Sequence, residues 1–130
     1  MAERARLDAA FALRFDRELD SGRGACILRE YAPIVAGALQ YFDGSRYELR
    51  AWCVMPNHVH VLLHVERGDA VPKIVHSWKS FTAHAIGRGV IWQREYFDRL
   101  VRGVEDYGRT TAYIRANPAK AGLGAWPWVG

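Results

Sequence analysis

The sequence predicts an α+β fold: a small antiparallel sheet with helices packed on one face. Three observations lead there. Two β-rich runs, "RYELRAWCVM" and "HVHVLLHV", are joined by Pro56-Asn57, a hairpin signature in which Pro and Asn supply the turn. Residues 72–88 carry a helical stripe of apolar side chains. Further segments before and after these have helical periodicity, so the expected order is α, α, β-hairpin, α, short β, α.

Residues 3–20 read as the first helix, with Leu7, Ala10, Phe11, Arg14 and Phe15 on one side and "SGRG" as its stop. A second helix is expected from Pro33 to Phe42, where Ile34, Val35, Ala38, Leu39 and Phe42 are apolar and Gly44 ends the run. After the hairpin, Ile74, Val75, Trp78, Phe81, Thr82, Ala85 and Ile86 form the stripe of the 72–88 helix. Lys73, His76, Ser80 and His84 lie opposite. "VIWQREYFDRLV" reads as extended or irregular. A last helix over 103–116 is expected to stop at Asn117-Pro118, because Pro cannot continue a helix and restricts the residue before it. The tail "AGLGAWPWVG" is irregular, with two tryptophans placed to cover an edge of the core. Repeats, low-complexity tracts and linker-like stretches are absent from the sequence, so residues 1–130 are expected to form one domain.

Half of the sequence is hydrophobic and a quarter charged, the balance of an ordinary globular protein rather than a disordered one. No apolar run approaches the ~20 residues that a membrane helix needs. The charged N-terminus has no hydrophobic secretion core, so a cytoplasmic location is expected. Cys26 and Cys53 are too few and too far apart for a disulfide framework or a zinc knuckle, and read as small buried hydrophobes. The net charge of +4 is unevenly placed. Residues 1–70 hold nine Lys/Arg against ten Asp/Glu, whereas residues 71–130 hold nine against four. That basic half also contains Trp78, Trp92, Tyr96, Phe97 and Tyr113, a mixture suited to single-stranded nucleic acid, where cations meet phosphates and rings stack on bases; a solvated charged face explains it equally.

The chemistry begins in "MPNHVHVLLH". On a strand, side chains alternate, so His58, His60, Leu62 and His64 share one face and Val59, Val61, Leu63 and Val65 share the other, the core face. The histidine face could then be open. His58 and His60 are ~7 Å apart at Cα, close enough for two imidazoles to converge on one ion, while His64 lies ~13 Å beyond His60 and is incidental. Imidazole alone does not select the metal. A third oxygen ligand with open positions would complete such a site.

On the last helix, Val104, Tyr107, Thr111 and Ile114 form the apolar stripe, and Tyr113 falls about 180° from Val104. Asp106, Arg109 and Asn117 lie within ~40° of Tyr113. Asn117 stands one turn beyond the tyrosine, where it can cap the helix and still offer its carbonyl to a metal. These parts combine. A phenol with a pKa near ~10 is a weak nucleophile at neutral pH and needs an activated electrophile. A divalent ion on a phosphodiester provides one, and the product would be a covalent phosphotyrosine that conserves the bond for rejoining.

"WCVMPNHVHVLL", "WKSFTAHAI", "IWQREYFDRLVR" and "YIRANPAKAGL" together resemble, in order and spacing, the REP-associated group of single-tyrosine HUH transposases, over roughly residues 44–128. The resemblance implies that His58 and His60 are metal ligands for Mg²⁺ or Mn²⁺, with Asn117 as the polar third ligand. It implies that Tyr113 is the catalytic nucleophile, forming a 5′-phosphotyrosine link to single-stranded DNA and leaving a free 3′-OH. It further implies a ferredoxin-like or RRM-like antiparallel sheet, hairpin DNA as partner, a nucleoid-associated location and a homodimer. Lys79, Arg94, Arg99, Arg102, Arg115 and Lys120 would contact phosphates. Two departures stand out. The family's first strand, with aromatic and Arg residues, precedes the first helix, whereas this chain reads as starting in that helix, so either the chain is truncated or the sheet lacks a strand, and an exposed edge would favour dimerisation or aggregation. The family's long basic C-terminal extension has no counterpart. A domesticated or truncated hairpin-binding module without catalysis is the alternative reading, and the intact His58, His60 and Tyr113 favour the enzyme. A zinc hydrolase ranks below both, since no Glu or Asp stands near the histidine pair in sequence at a general-base spacing.

Overall fold

A computed structural model describes residues 9–17, 27–66, 70–87 and 89–130. Residues Ala9–Arg17 form a strand, β1, and not part of a helix. The sheet therefore contains the first strand that the sequence reading found missing. The physical reason is visible in the segment itself: Phe11, Leu13 and Phe15 alternate with Ala12, Arg14 and Asp16, which is the period of a strand buried on one face. The remainder of the expected 3–20 helix, its "SGRG" stop and Cys26 lie outside the described residues.

The chain continues through helix α1 (Ile27–Tyr41), strands β2 (Glu48–Val54) and β3 (His58–Val65), helix α2 (Val71–Ile86), strand β4 (Trp92–Val101) and helix α3 (Gly103–Lys120). α1 begins six residues before the expected Pro33, which the helix carries on its exposed side. α2 matches its expected span to within two residues, and Gly87, with φ 72°, takes the left-handed position that ends it. The sheet order is β2-β3-β1-β4, with every neighbouring pair antiparallel. This is the α+β, ferredoxin-like arrangement. The tail closes the β2 edge: Val54 N–H donates to the Trp128 carbonyl, and Trp52 and Gly130 exchange backbone bonds.

α1 and α2 cover one face. Leu13, Phe15, Trp52, Val54 and the Val59, Val61, Leu63 and Val65 series fill the core between them and the sheet. Phe15 packs edge-on against Trp92 and stacks on Trp78. The buried polar tips are matched: the Tyr47 hydroxyl donates to the Leu39 carbonyl and accepts from Trp78 Nε1, while Trp92 Nε1 donates to Thr82 Oγ1.

The expectation of helices on one face only is corrected by α3, which packs across the opposite, histidine-bearing face. There Ile114 is buried with Ala51, Cys53, Met55 and Leu62 in a second, smaller cluster. α3 also runs past Pro118 to Lys120, three residues beyond the helix's expected stop at Asn117. Pro118 removes one N–H but its fixed φ is helical, and its own side chain is buried. The Ala121 and Leu123 N–H groups bond to the Asn117 and Pro118 carbonyls and complete the last turn. Val104 was placed on the apolar stripe; it is 89% exposed, and the buried positions are Thr110, Ile114 and Pro118.

Candidate active site

Register assembles the site. Residues directly opposite one another in an antiparallel pair share a face. One row across the sheet is Phe97, Arg14, His60, Cys53; the next is Arg99, Ala12, Leu62, Ala51. Asp16 lies opposite His58. The histidine face is thus lined from four strands, and α3 is laid over it by the burial of Ile114 in one cluster with Leu62.

One residue before Ile114, Tyr113 is turned 100° around the helix to the margin of that contact. Its ring lies 5.6 Å from the His60 ring, planes at 84°, and the residue stays 51% exposed. The His58 and His60 rings are 4.8 Å apart, planes at 87°. His60 is only 8% exposed, so the face is closed over this residue rather than open. His58 Nδ1 lies 2.6 Å from Asn57 Oδ1; the tautomer that donates to this amide oxygen leaves the lone pair on Nε2. His60 Nε2 is buried with no hydrogen-bond partner.

Burial, aided by the Arg14 guanidinium, pushes His58 down to about 4. For His60 burial is again the largest cause, followed by His58 and Arg14, and the value is again about 4. Asp16 opposes both shifts without cancelling them. Both imidazoles are therefore neutral at pH 7, the form that ligates metal, and the unpartnered His60 nitrogen fits a cation. Among the described residues no third His, Cys, Asp or Glu joins the pair in a metal site. Among the described residues, Asn117 offers an amide oxygen as a further donor. Asn117 is half-buried one helical turn beyond Tyr113, and the continuation of α3 through Pro118 keeps it on that side.

The basic residues divide. Lys120 Nζ stands 5.9 Å over the Tyr113 ring. Arg99 donates to Asp106 Oδ2 at 2.8 Å and to Thr110 Oγ1 at 2.9 Å, which ties β4 to the first turns of α3. Arg94 and Arg102 are exposed. Arg115 donates to the carbonyls of Gly130 and Arg50, fastening the tail. Lys79 is on α2, in the layer opposite the site, and its Nζ donates to the carbonyls of Gln93, Arg94 and Glu95.

Sequence reasoning missed Arg14, Asp16 and Asn57 as residues of the site, and named Phe97 only as one ring of the basic half. Arg14 donates to Asp16 through Nε at 2.8 Å and Nη2 at 3.4 Å. The carboxylate beside the histidines thus comes from β1, and the alternation in "FALRFD" was the signal that could have placed it. Tyr113, His60, Arg14, Phe97, Arg99 and Arg109 line a groove of about 360 Å³.

Fold and site together define a class: an α+β domain whose sheet face carries an imidazole pair on one strand and meets a phenol from the last helix. The model of the family described as "Transposase IS200 like" matches residues 38–117, from α1 through Asn117. The chain belongs to this transposase family. It is 28% identical over 122 residues to the REP-associated tyrosine transposase of Escherichia coli K12, covering 88% of this chain and 72% of that protein. Its fold matches the solved structure of a REP-associated tyrosine transposase bound to a REP hairpin, with a TM-score of 0.81 and 24% identity over 95% of this chain and 76% of the other.

Proposed function

We propose that this chain is a metal-dependent strand-transfer enzyme acting on single-stranded DNA at hairpins, with Tyr113 as nucleophile. The observation that carries the reading is the contact between the Tyr113 ring and the inner member of the His58–His60 pair. Membership of a transposase family and the hairpin bound by the structural relative support DNA as substrate.

His58 and His60 would hold Mg²⁺ or Mn²⁺ through their lone-pair nitrogens, with Asn117 as third ligand. Bound there, the ion supplies charge stabilisation to the non-bridging and leaving oxygens of a phosphodiester. The chain's own residues do the rest. α3 holds the phenol beside the imidazoles, an orientation that the Ile114 contact enforces. Lys120 places a positive charge over the Tyr113 ring, where it attracts phosphate. The Tyr113 oxygen bonds to phosphorus as the bond to the 3′ oxygen breaks; the phenol proton leaves to solvent and the 3′ oxygen takes one up. The product is a 5′-phosphotyrosine and a free 3′-OH, and reversal rejoins the strand.

Arg94, Arg102 and Lys120 remain the proposed phosphate contacts of the DNA path; Arg99 would first have to leave Asp106, and Lys79 and Arg115 the carbonyls they hold. A homodimer belongs to the proposal with β4 as the edge through which the sheet could extend, since the tail occupies that of β2.

The test is incubation of the chain with a labelled hairpin DNA and Mn²⁺, followed by a denaturing gel and mass spectrometry. A DNA adduct on the tryptic peptide 110–115 is expected. A hairpin shift on a native gel with no adduct would replace the reading with a binding module.

A further inference from the structure

The groove beside Tyr113 contains side chains that the proposed reaction does not use. Phe97 is 68% exposed on β4. It shares a row with Arg14 and His60, two strand spacings or roughly 10 Å from the latter. A single exposed ring is ordinary on a protein surface. Its neighbours set Phe97 apart. Arg14 lines the same groove, held by Asp16 through one side of its guanidinium. Arg109 lines it too, and its only recorded ion-pair contact among the described residues, to Glu105, is 3.9 Å long between exposed groups. Such a pair contributes little and leaves the cation free to turn. Arg99, by contrast, is neutralised by Asp106. The volume of about 360 Å³ lies at the low end for ligand clefts, enough for about one nucleotide and far too small for a duplex.

We propose that this groove binds one unpaired nucleotide of the DNA strand, its base stacked on Phe97 and its phosphate reached by Arg14 and Arg109. Resting on the reading of Tyr113 as nucleophile, the inference makes this nucleotide the neighbour of the phosphodiester presented to that residue. Stacking requires a free base face, so a paired base cannot enter; the groove selects a single-stranded flank next to the hairpin. A ring reads every base alike, so little sequence preference is expected at this position. Arg14 is a positioning residue here, aimed by Asp16 toward both the groove and His60.

The test uses the full chain carrying Tyr113→Phe, so that no cleavage is involved, and a hairpin DNA with short single-stranded flanks containing 5-iododeoxyuridine. After irradiation, a cross-link on the tryptic peptide Glu95–Arg99 is expected. Adding Phe97→Ala should remove the cross-link and weaken binding of the flanked hairpin about tenfold, while a blunt hairpin binds as before. Phe97→Tyr should keep both cross-link and affinity. The ring is exposed, so folding is not at stake. DNA that binds without a cross-link in 95–99, or a Phe97→Ala chain that holds the flanked hairpin as tightly as its parent, would overturn the groove assignment. Either result leaves the Tyr113 adduct to be judged by itself, and a missing adduct does not alter the cross-link.

Discussion

Tyr113 meets His60 edge to face, ring centroids 5.6 Å apart, although the two residues are 53 positions apart in the chain. The contact exists because Ile114, the next residue, is buried on Leu62, two positions along the strand from His60 on the same face. The small apolar cluster of Ile114 with Ala51, Cys53, Met55 and Leu62 therefore holds the proposed nucleophile over the strand that carries the proposed ligand pair.

Tyr113→Phe removes the phenol oxygen and keeps the ring. The covalent DNA adduct is expected to fall below detection on a denaturing gel, while hairpin affinity changes by less than about twofold, since the ring of this 51% exposed residue is kept. An adduct persisting at full yield would move the nucleophile elsewhere.

His58→Ala takes one of the two imidazoles from the pair. Mn²⁺ affinity, read by calorimetry, is expected to drop about 10- to 100-fold, with cleavage lost and partly restored by excess Mn²⁺. EDTA should abolish cleavage by the parent chain. Equal activity in EDTA would remove the metal from the mechanism.

Ile114→Ala tests the clamp. A buried Ile reduced to Ala costs about 2–5 kcal/mol, visible as a lower midpoint in urea. If the clamp positions Tyr113, adduct formation under folding conditions should slow more than DNA binding weakens. Parallel losses in both would reduce Ile114 to a stability role.

Below the range in which His58 and His60 take up protons, Asp106 contributes to the pH dependence at the acid end. Hydrogen bonds from the Arg99 guanidinium and the Arg102 N–H hold its carboxyl down at about 2, against an ordinary 3.8. Because the folded value is the lower one, the carboxylate's stabilisation is complete above about pH 4 and is lost as pH falls toward 2. Acid unfolding of Asp106→Asn, followed by circular dichroism, should show a shallower loss of stability across that window than the parent chain.

DNA binding by the chain should weaken steeply with salt, because phosphate neutralisation releases counterions. A fluorescence titration giving a flat dependence would argue against a phosphate backbone as the partner.

Local pattern determined the hairpin, α2 and the pairing of His58 with His60. Period-2 alternation places both imidazoles on one face whatever lies above them, and the Pro56-Asn57 turn sets their strand against β2. The span of Tyr113 and Asn117 along one helix was equally local. The segment 9–17 was not, because Phe11 and Phe15 satisfy a helical spacing as well as a strand spacing, and only Leu13 separates the two. Its pairing with β3 and β4 decides the matter, and with it the positions of Arg14 and Asp16 beside the histidines. The orientation of α3 was likewise set from outside. Val104 and Ile114 are equally apolar candidates in sequence, yet only Ile114 finds an uncovered Leu62 to bury against, and Val104 is left in water. Chain pattern thus chose the candidate site side chains, while the burial of surfaces distant in sequence brought them together, since that free energy depends on which face is already covered and no local window contains it.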